Sequence, residues 1–274
     1  MIKLSSVEFE LVAQKMYKQF GIDLRNKEYL VDSKLSVLCF LRHIESFAEY
    51  WQRLNLLGPE AAEMQQELVD ALTTHYTYFY REEDHFKVLS DLIASRSLPV
   101  HKTKLSAWCA GCSSGQEAYT LAMALEAARC QGVLAQPWHV DGSDISEKSL
   151  ATARKGAYAM ADYVRLPRTW QQLFCFMSPK GFEVKRALRD NITFRQENLL
   201  VPAVLPGQYD LVFCRNVLIY FDKASTQKLL DRLAASLVPG GYLFLGHTEI
   251  FERIPGFDYI LPAVYRKVGD GHGL

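Results

Sequence analysis

The chain has 274 residues, 49% hydrophobic and 23% charged, with 31 basic and 31 acidic side chains and no formal net charge. That length suits one large core, or one core plus a small second domain, and the composition excludes collagenous, low-complexity and disordered classes. Neutral charge disfavours a protein that grips nucleic acid through many phosphates and fits a small ligand or a local protein motif better.

The first residues, MIKLSSVEFELVAQKM, carry acids inside their apolar stretch and no small-residue cleavage pattern, so they do not read as a signal peptide. No apolar run approaches the length of a membrane span, and the expected location is cytoplasmic. Residues 1–73 read as an N-terminal helical domain. Val7, Leu11, Val12, Met16 and Phe20 suggest one apolar face. Ser33–Phe47, Phe47–Leu57 and Pro59–Thr73 repeat the helical spacing, the second closed by Gly58-Pro59. This bundle either simply packs on the second domain or docks a protein substrate, with Arg25, Arg42 and Arg53 as candidate contacts for acidic helices.

Residues 74–104 read as a linker and the start of a catalytic domain. Thr74–Phe86, THYTYFYREEDHF, is too aromatic for a solvated loop. It is expected either to pack on the core or to wall a ligand site. From Leu105 to the end, strands and helices alternate, as in a mostly parallel sheet. Expected strands are Ser106–Cys109, His139–Ser143, Ile192–Gln196, Tyr209–Cys214 and Gly241–Gly246. Expected helices are Gln116–Arg129, Ser146–Lys155 and Ala224–Leu237. Pro239-Gly240-Gly241 suggests a tight turn into the last of these strands, and Phe257–Val268 suggests closing strands. Met177–Asp190 reads as a short hairpin-like insert, within about 175–195.

Of the six cysteines, Cys109 and Cys112 have C-x-x-C spacing. No second pair or nearby His cluster completes a metal site, so no metal is expected and small buried thiols are the simpler reading.

Gly111 and Gly115 bracket a turn after the first strand, where a side chain would block a ligand's approach. The spacing lacks the G-x-G-x-x-G of a nicotinamide site, and Glu117 at the helix start would repel a pyrophosphate. Glu117 suits an ammonium group instead, unless it only offsets the helix dipole. Asp144 ends the second strand, where an acid accepts hydrogen bonds from ribose hydroxyls. S-adenosylmethionine carries an ammonium, a sulfonium and a ribose, and no phosphate. Asn198 is placed to read an adenine edge, with Leu199 against the ring. In DLVFCRNVLIYFD a buried strand delivers Arg215, Asn216 and Tyr220 to the sheet's carboxyl edge, a costly grouping without a ligand.

THYTYFYRE, WCAGCSSGQEAYT, GSDIS, FCRNVLIYFD and GGYLFLGHTE together resemble the motif series of CheR-type chemotaxis receptor methyltransferases, over nearly the whole chain. The resemblance implies an α/β, doubly wound, Rossmann-like class I methyltransferase domain with a small antiparallel β insert, preceded by an all-α N-terminal domain. It implies S-adenosylmethionine-dependent O-methylation of glutamate side chains on the cytoplasmic helices of chemotaxis receptors, with S-adenosylhomocysteine as the product. Matched motif positions place cofactor contacts at His75, Thr77, Arg81, Glu117, Asp144, Asn198, Leu199, Asn216 and Val217, and the reacting centre at Arg81, Arg215 and Tyr220. The family usually has Asn where His75 stands. Members that tether to a receptor's C-terminal peptide have a longer insert, so tethering is not expected here. The alternatives are a class I methyltransferase for another substrate, or a catalytically silent module that senses the cofactor.

Overall fold

The computed structural model describes residues 3–99, 103–201 and 207–269. The outermost residues of the expected first and last domains, and residues 100–102 of the expected linker, lie outside them.

Four helices build the N-terminal unit: α1 (Ser6–Phe20), α2 (Glu28–Leu41), α3 (Phe47–Leu54) and α4 (Pro59–Leu72). A reciprocal Ser5–Glu8 capping box starts α1, and Gly21, at φ 68°, ends it. The buried face of α1 is Val12 and Met16; Val7 and Leu11, expected beside them, are exposed. Helix α2 begins and ends earlier than the sequence suggested. His43 adopts φ 54°, and Ile44 N–H bonds back to Cys39 O, so the chain turns before Phe47 can join. Val31, Leu35, Tyr50, Met64 and Leu68 fill the space between these helices.

After α4 an extended stretch leads to α5 (Glu83–Ala94), a helix the sequence reading did not anticipate. The α/β part then runs β1 (Leu105–Ala110), α6 (Gln116–Cys130), β2 (Trp138–Asp144), α7 (Glu147–Lys155), β3 (Ala157–Tyr158), α8 (Met160–Tyr163), α9 (Arg168–Phe174), β4 (Cys175–Ser178), β5 (Gly181–Val184), α10 (Arg186–Arg189), β6 (Ile192–Gln196), β7 (Tyr209–Cys214), α11 (Lys223–Ser236), β8 (Leu237–Leu245), β9 (Phe257–Leu261) and β10 (Val264–Lys267). The main sheet has the order β6-β2-β1-β7-β8-β10-β9. Its β6 to β8 segment is parallel, while β10 and β9 are antiparallel. The chain leaves β1 toward β2 and β6, then returns to place β7 on β1's other side. Ligands bind in the crevice at the carboxyl ends of the strands where the order reverses, here β1 and β7.

Pro239-Gly240-Gly241, expected as a turn, lies inside β8, where the ladder to β7 shifts register. The small sheet has the order β3-β5-β4 and takes its third strand from Ala157–Tyr158, ahead of the expected insert. Phe79 packs on the small sheet, at 4.9 Å from Tyr158 and 5.5 Å from Phe182. On one face of the main sheet, Phe213 stacks on Phe244 at 4.3 Å and on Phe86 of α5 at 5.8 Å.

The helical unit is docked across the carboxyl rim. Ile22 forms a β-bridge with Phe221, and Asp23 N–H donates to Tyr220 O at 2.8 Å. Gln66 Nε2 donates to Ile145 O at 3.0 Å. Among the described residues no helix is long and apolar enough to cross a membrane.

Candidate active site

A cavity of about 450 Å³ opens at the β1–β7 rim. All eleven residues singled out from the sequence line it: His75, Thr77, Arg81, Glu117, Asp144, Asn198, Leu199, Arg215, Asn216, Val217 and Tyr220. Phe20, Ile22 and Lys27 of the helical unit close one side. A volume of this size, part apolar and part polar, suits a nucleoside-sized ligand.

The glycine turn shapes its floor. Gly111 sits at φ 80°, and a Cβ there would lie 2.4 Å from Val217 Cγ2. Gly115, at φ 92°, starts α6, and a Cβ there would lie 2.7 Å from Ala153 Cβ. Side chains are excluded at both positions by space and by conformation. Cys109 and Cys112 beside this turn are free, buried thiols, which burial holds well above the usual thiol pKa.

Asp144 is buried at the end of β2. Its Oδ2 accepts from Ser113 N–H at 2.7 Å, and its Oδ1 accepts from Ser146 N–H at 2.9 Å. Burial raises its pKa, while these donors and nearby His75 pull the other way. His75 lies with Nδ1 3.9 Å from Asp144 Oδ1 and with Nε2 2.8 Å from Thr73 Oγ1. The aromatic stretch therefore does both things expected of it. Phe79 enters the core, and Thr74 to Thr77 with Arg81 wall the cavity.

Arg215 is engaged by the chain itself. Its side chain is 1% exposed, with Nε 2.8 Å from Glu117 Oε2. Nη2 donates to Arg81 O at 2.5 Å, and Nη1 faces His85 Nδ1 at 3.2 Å. The guanidinium also lies 5.4 Å from the Phe86 ring. A guanidinium can only donate, so Nδ1 of His85 supplies the lone pair and the imidazole is neutral with its proton on Nε2. Burial first, then Arg215 and His247, lowers the His85 pKa to about 3. Glu82, His85 and His247 bring one ligand-type atom each within 4.8 Å of one another. Two of the three also meet Arg215: Glu82 Oε2 lies 3.8 Å from its Nε and His85 Nδ1 lies 3.2 Å from its Nη1.

Arg81 follows from this clamp. It lies between Tyr80 at φ 60° and Glu82 at φ 54°, two left-handed residues that turn its side chain into the cavity. Its Nη1 donates to Tyr76 O at 3.0 Å, and no carboxylate among the described residues forms an ion pair with it. Tyr220 ties its hydroxyl to the Thr74 backbone, donating to the carbonyl at 2.8 Å and accepting from the N–H at 3.2 Å. Asn198 spends its amide on the chain: Nδ2 donates to Gln19 O at 2.7 Å, and Oδ1 accepts from Leu200 N–H at 3.0 Å. The adenine-reading role expected for that amide therefore has to compete with a contact between domains.

Glu82 and His85 of the site's frame escaped the sequence reading, and Glu249 was given no catalytic role by it. Glu82 accepts from Asn216 Nδ2 at 3.3 Å and from His247 N–H at 3.3 Å. His85 and Glu249 hold Arg215 and the Asn216 loop from behind. The basic residues weighed as docking contacts are paired within the bundle: Arg25 with Asp23, Arg42 with Glu63 and Glu67, and Arg53 with Glu49 and Glu60.

The donor set fits S-adenosylmethionine. Glu117, Asp144 and Glu197 line the cavity, Glu197 paired with Arg195 and Arg232 and Glu117 with Arg215, while Asp144 is held by backbone N–H groups, as suits a ribose-bearing, phosphate-free ligand. Two family models and several relatives by sequence point the same way. The family described as "CheR methyltransferase, SAM binding domain" matches residues 75–261, and "CheR methyltransferase, all-alpha domain" matches residues 7–73. A chemotaxis protein methyltransferase of Borreliella burgdorferi is 32% identical over 97% of this chain and 96% of its own length. Chemotaxis protein methyltransferase 2 of Pseudomonas aeruginosa is 39% identical over 89% of this chain and 86% of its own. A solved phosphoethanolamine N-methyltransferase 2 from Haemonchus contortus, in complex with S-adenosyl-L-methionine, is 21% identical with a TM-score of 0.33, over 58% of this chain and 27% of its own.

Proposed function

This chain belongs to the CheR methyltransferase family, whose S-adenosylmethionine-dependent methylation serves chemotactic adaptation, and from that premise we propose that its acceptors are glutamate side chains on the cytoplasmic helices of chemotaxis receptors. The observation that carries this reading is a free arginine beside a neutral-to-acidic cofactor pocket. Arg81 reaches the cavity without an ion-pair partner among the described residues, while Arg215 next to it is consumed by Glu117. A cationic side chain left open in such a place is suited to an anionic acceptor.

We assign the cofactor to Asp144 for the ribose, Leu199 and Val217 for the adenine faces, and Glu117 with Thr77 and His75 for the amino-acid end. Bound there, S-adenosylmethionine would supply a methyl group on a sulfonium for in-line displacement: the O–CH3 bond to the carboxylate would form as the S–CH3 bond breaks, its electron pair staying on sulfur and S-adenosylhomocysteine leaving. A glutamate with an ordinary pKa of about 4.3 is already ionised at neutral pH, so no general base is needed. The chain's work is alignment and exclusion of water. Arg81 holds the acceptor carboxylate. Arg215 acts through it, fixing the Arg81 carbonyl while Glu117 and His85 hold the guanidinium. Tyr220, its hydroxyl pinned to Thr74, offers its ring to the sulfonium side. Phe20, Ile22 and Lys27 of the helical domain complete the mouth by which a protein side chain enters. The short β4–β5 turn supports methylation without peptide tethering.

The test is mass-spectrometric mapping of a receptor cytoplasmic fragment incubated with the protein and S-adenosylmethionine. Methyl groups on glutamates, lost when those residues are changed to Ala, are expected. Methylation confined to lysine, arginine or RNA would replace this reading with the other-substrate alternative.

A further inference from the structure

We propose that Glu249 is a positioning residue for the cofactor, holding the Asn216–Tyr220 loop in its binding shape. Glu249 lies after β8, outside the expected contact set, and is 5% exposed. Its Oε2 accepts from Asn216 N–H at 2.8 Å and from Gly246 N–H at 2.7 Å. Its Oε1 accepts from Leu218 N–H at 2.8 Å. The carboxylate is thus the hub on which the ends of β7 and β8 converge.

Two features make this more than a turn contact. No Lys, Arg or His among the described residues pairs with Glu249, so a buried charge is compensated by backbone N–H groups alone. Such an arrangement is costly unless those donors must be fixed. Several N–H groups aimed at both oxygens also demand an acceptor-only group, since a protonated acid or an amide would oppose a donor to a donor. Burial pushes the pKa up, and the N–H donors of Gly246, Asn216, Leu218 and Ile219 pull it back. The second feature is conformational. Asn216 is held at φ 59°, an uncommon backbone state for a non-glycine residue, and it presents Val217 to Gly111 across the cavity floor. Gly246 is required by the same knot, because a Cβ there would lie 2.7 Å from Glu249 Oε2 and 2.9 Å from Asn216 N.

The inference rests on the assignment of the Val217 loop to the cofactor, and the experiment separates the two. Hydrogen exchange of the full chain with and without S-adenosylhomocysteine first asks whether the ligand protects residues 216–219. Glu249→Gln, nearly isosteric, is then compared with wild type by calorimetric titration of S-adenosylhomocysteine, thermal midpoint and exchange. Ligand protection of the loop is expected in wild type. In E249Q the ligand affinity is expected to fall about tenfold, or about 1.4 kcal/mol, with faster exchange confined to residues 214–220 and to the start of the segment after β8. Unprotected 216–219 in wild type would remove the loop from the cofactor site and overturn both statements. Protection in wild type with unchanged affinity in E249Q would overturn the role of Glu249 alone. So would a loss of affinity accompanied by faster exchange throughout the main sheet.

Discussion

The difference between Arg81 and Arg215 shows how little the residue type says about its task. Both are arginines in specific strings, yet one is open to the cavity and the other is caged. Arg81→Ala is expected to lower turnover about a hundredfold by losing acceptor alignment, with a thermal midpoint near wild type; wild-type turnover would remove Arg81 from the reacting centre. Arg215→Met strands the buried Glu117 carboxylate and is expected to cost about 3 kcal/mol or more of stability, measured by denaturant unfolding. Asp144→Asn is expected to weaken S-adenosylhomocysteine binding about tenfold or more through a lost charged acceptor; unchanged affinity would cancel the ribose assignment. His85 gives the pH signature. Its folded pKa, about 3, lies below the ordinary value of 6.5, so below 6.5 the unfolded chain takes a proton that the folded one refuses. Stability from this group is therefore intact above 6.5 and falls as pH drops toward 3, at up to about 1.4 kcal/mol per pH unit. His85→Gln keeps an acceptor for Arg215 and should flatten that part of the stability profile; an unchanged slope would mean that His85 is not buried neutral. The cavity residues were readable because each sits in a distinctive string, those from Glu117 onward at or just after a strand's end. Glu82 and His85 were not, because their partners lie far along the chain: Asn216 is 134 positions from Glu82.

At the scale of elements, β6 and β7 fall where the sequence placed them, β7 as a buried apolar run and β6 as a half-buried ITFRQ. Helix α5 was hidden because its start is an uncapped, left-handed Glu82 rather than a Ser, Thr or Asp signal, and aromatics precede it. The two-residue β3 is too short to show any alternation, so the small sheet was placed too late in the chain. Helix α2 was shifted because apolar spacing continues across the left-handed His43, a break that residue type does not announce. The glycine turn between β1 and α6 is the element most sensitive to change. Gly111→Ala adds the strain of φ 80° to an overlap with Val217. It is expected to cost about 1–2 kcal/mol from the backbone alone and to weaken cofactor binding together with stability. Wild-type affinity in that variant would show that the floor can move away at no cost.

Across the whole molecule, the helical domain is part of the site rather than an appendage. It supplies Phe20, Ile22 and Lys27 to the cavity and joins the rim through Ile22–Phe221 and Gln19–Asn198. Sequence reading weighed packing of the bundle on the second domain but not the residues of this seam, since backbone contacts and pairs such as Tyr17–Asp222 join positions far apart in the chain. Asn198→Ala is expected to destabilise the docked pair by about 1 kcal/mol, seen in urea unfolding, with a smaller effect on ligand affinity; lost affinity at unchanged stability would return the amide to the adenine. The central claim is that one rim cavity, walled by both domains, binds a phosphate-free sulfonium donor. Calorimetric titration of the full chain with S-adenosylhomocysteine and, separately, with a nicotinamide dinucleotide tests it most directly. Saturable binding of one S-adenosylhomocysteine per chain, with no heat from the dinucleotide, is predicted; dinucleotide binding, or no binding of S-adenosylhomocysteine, would contradict it.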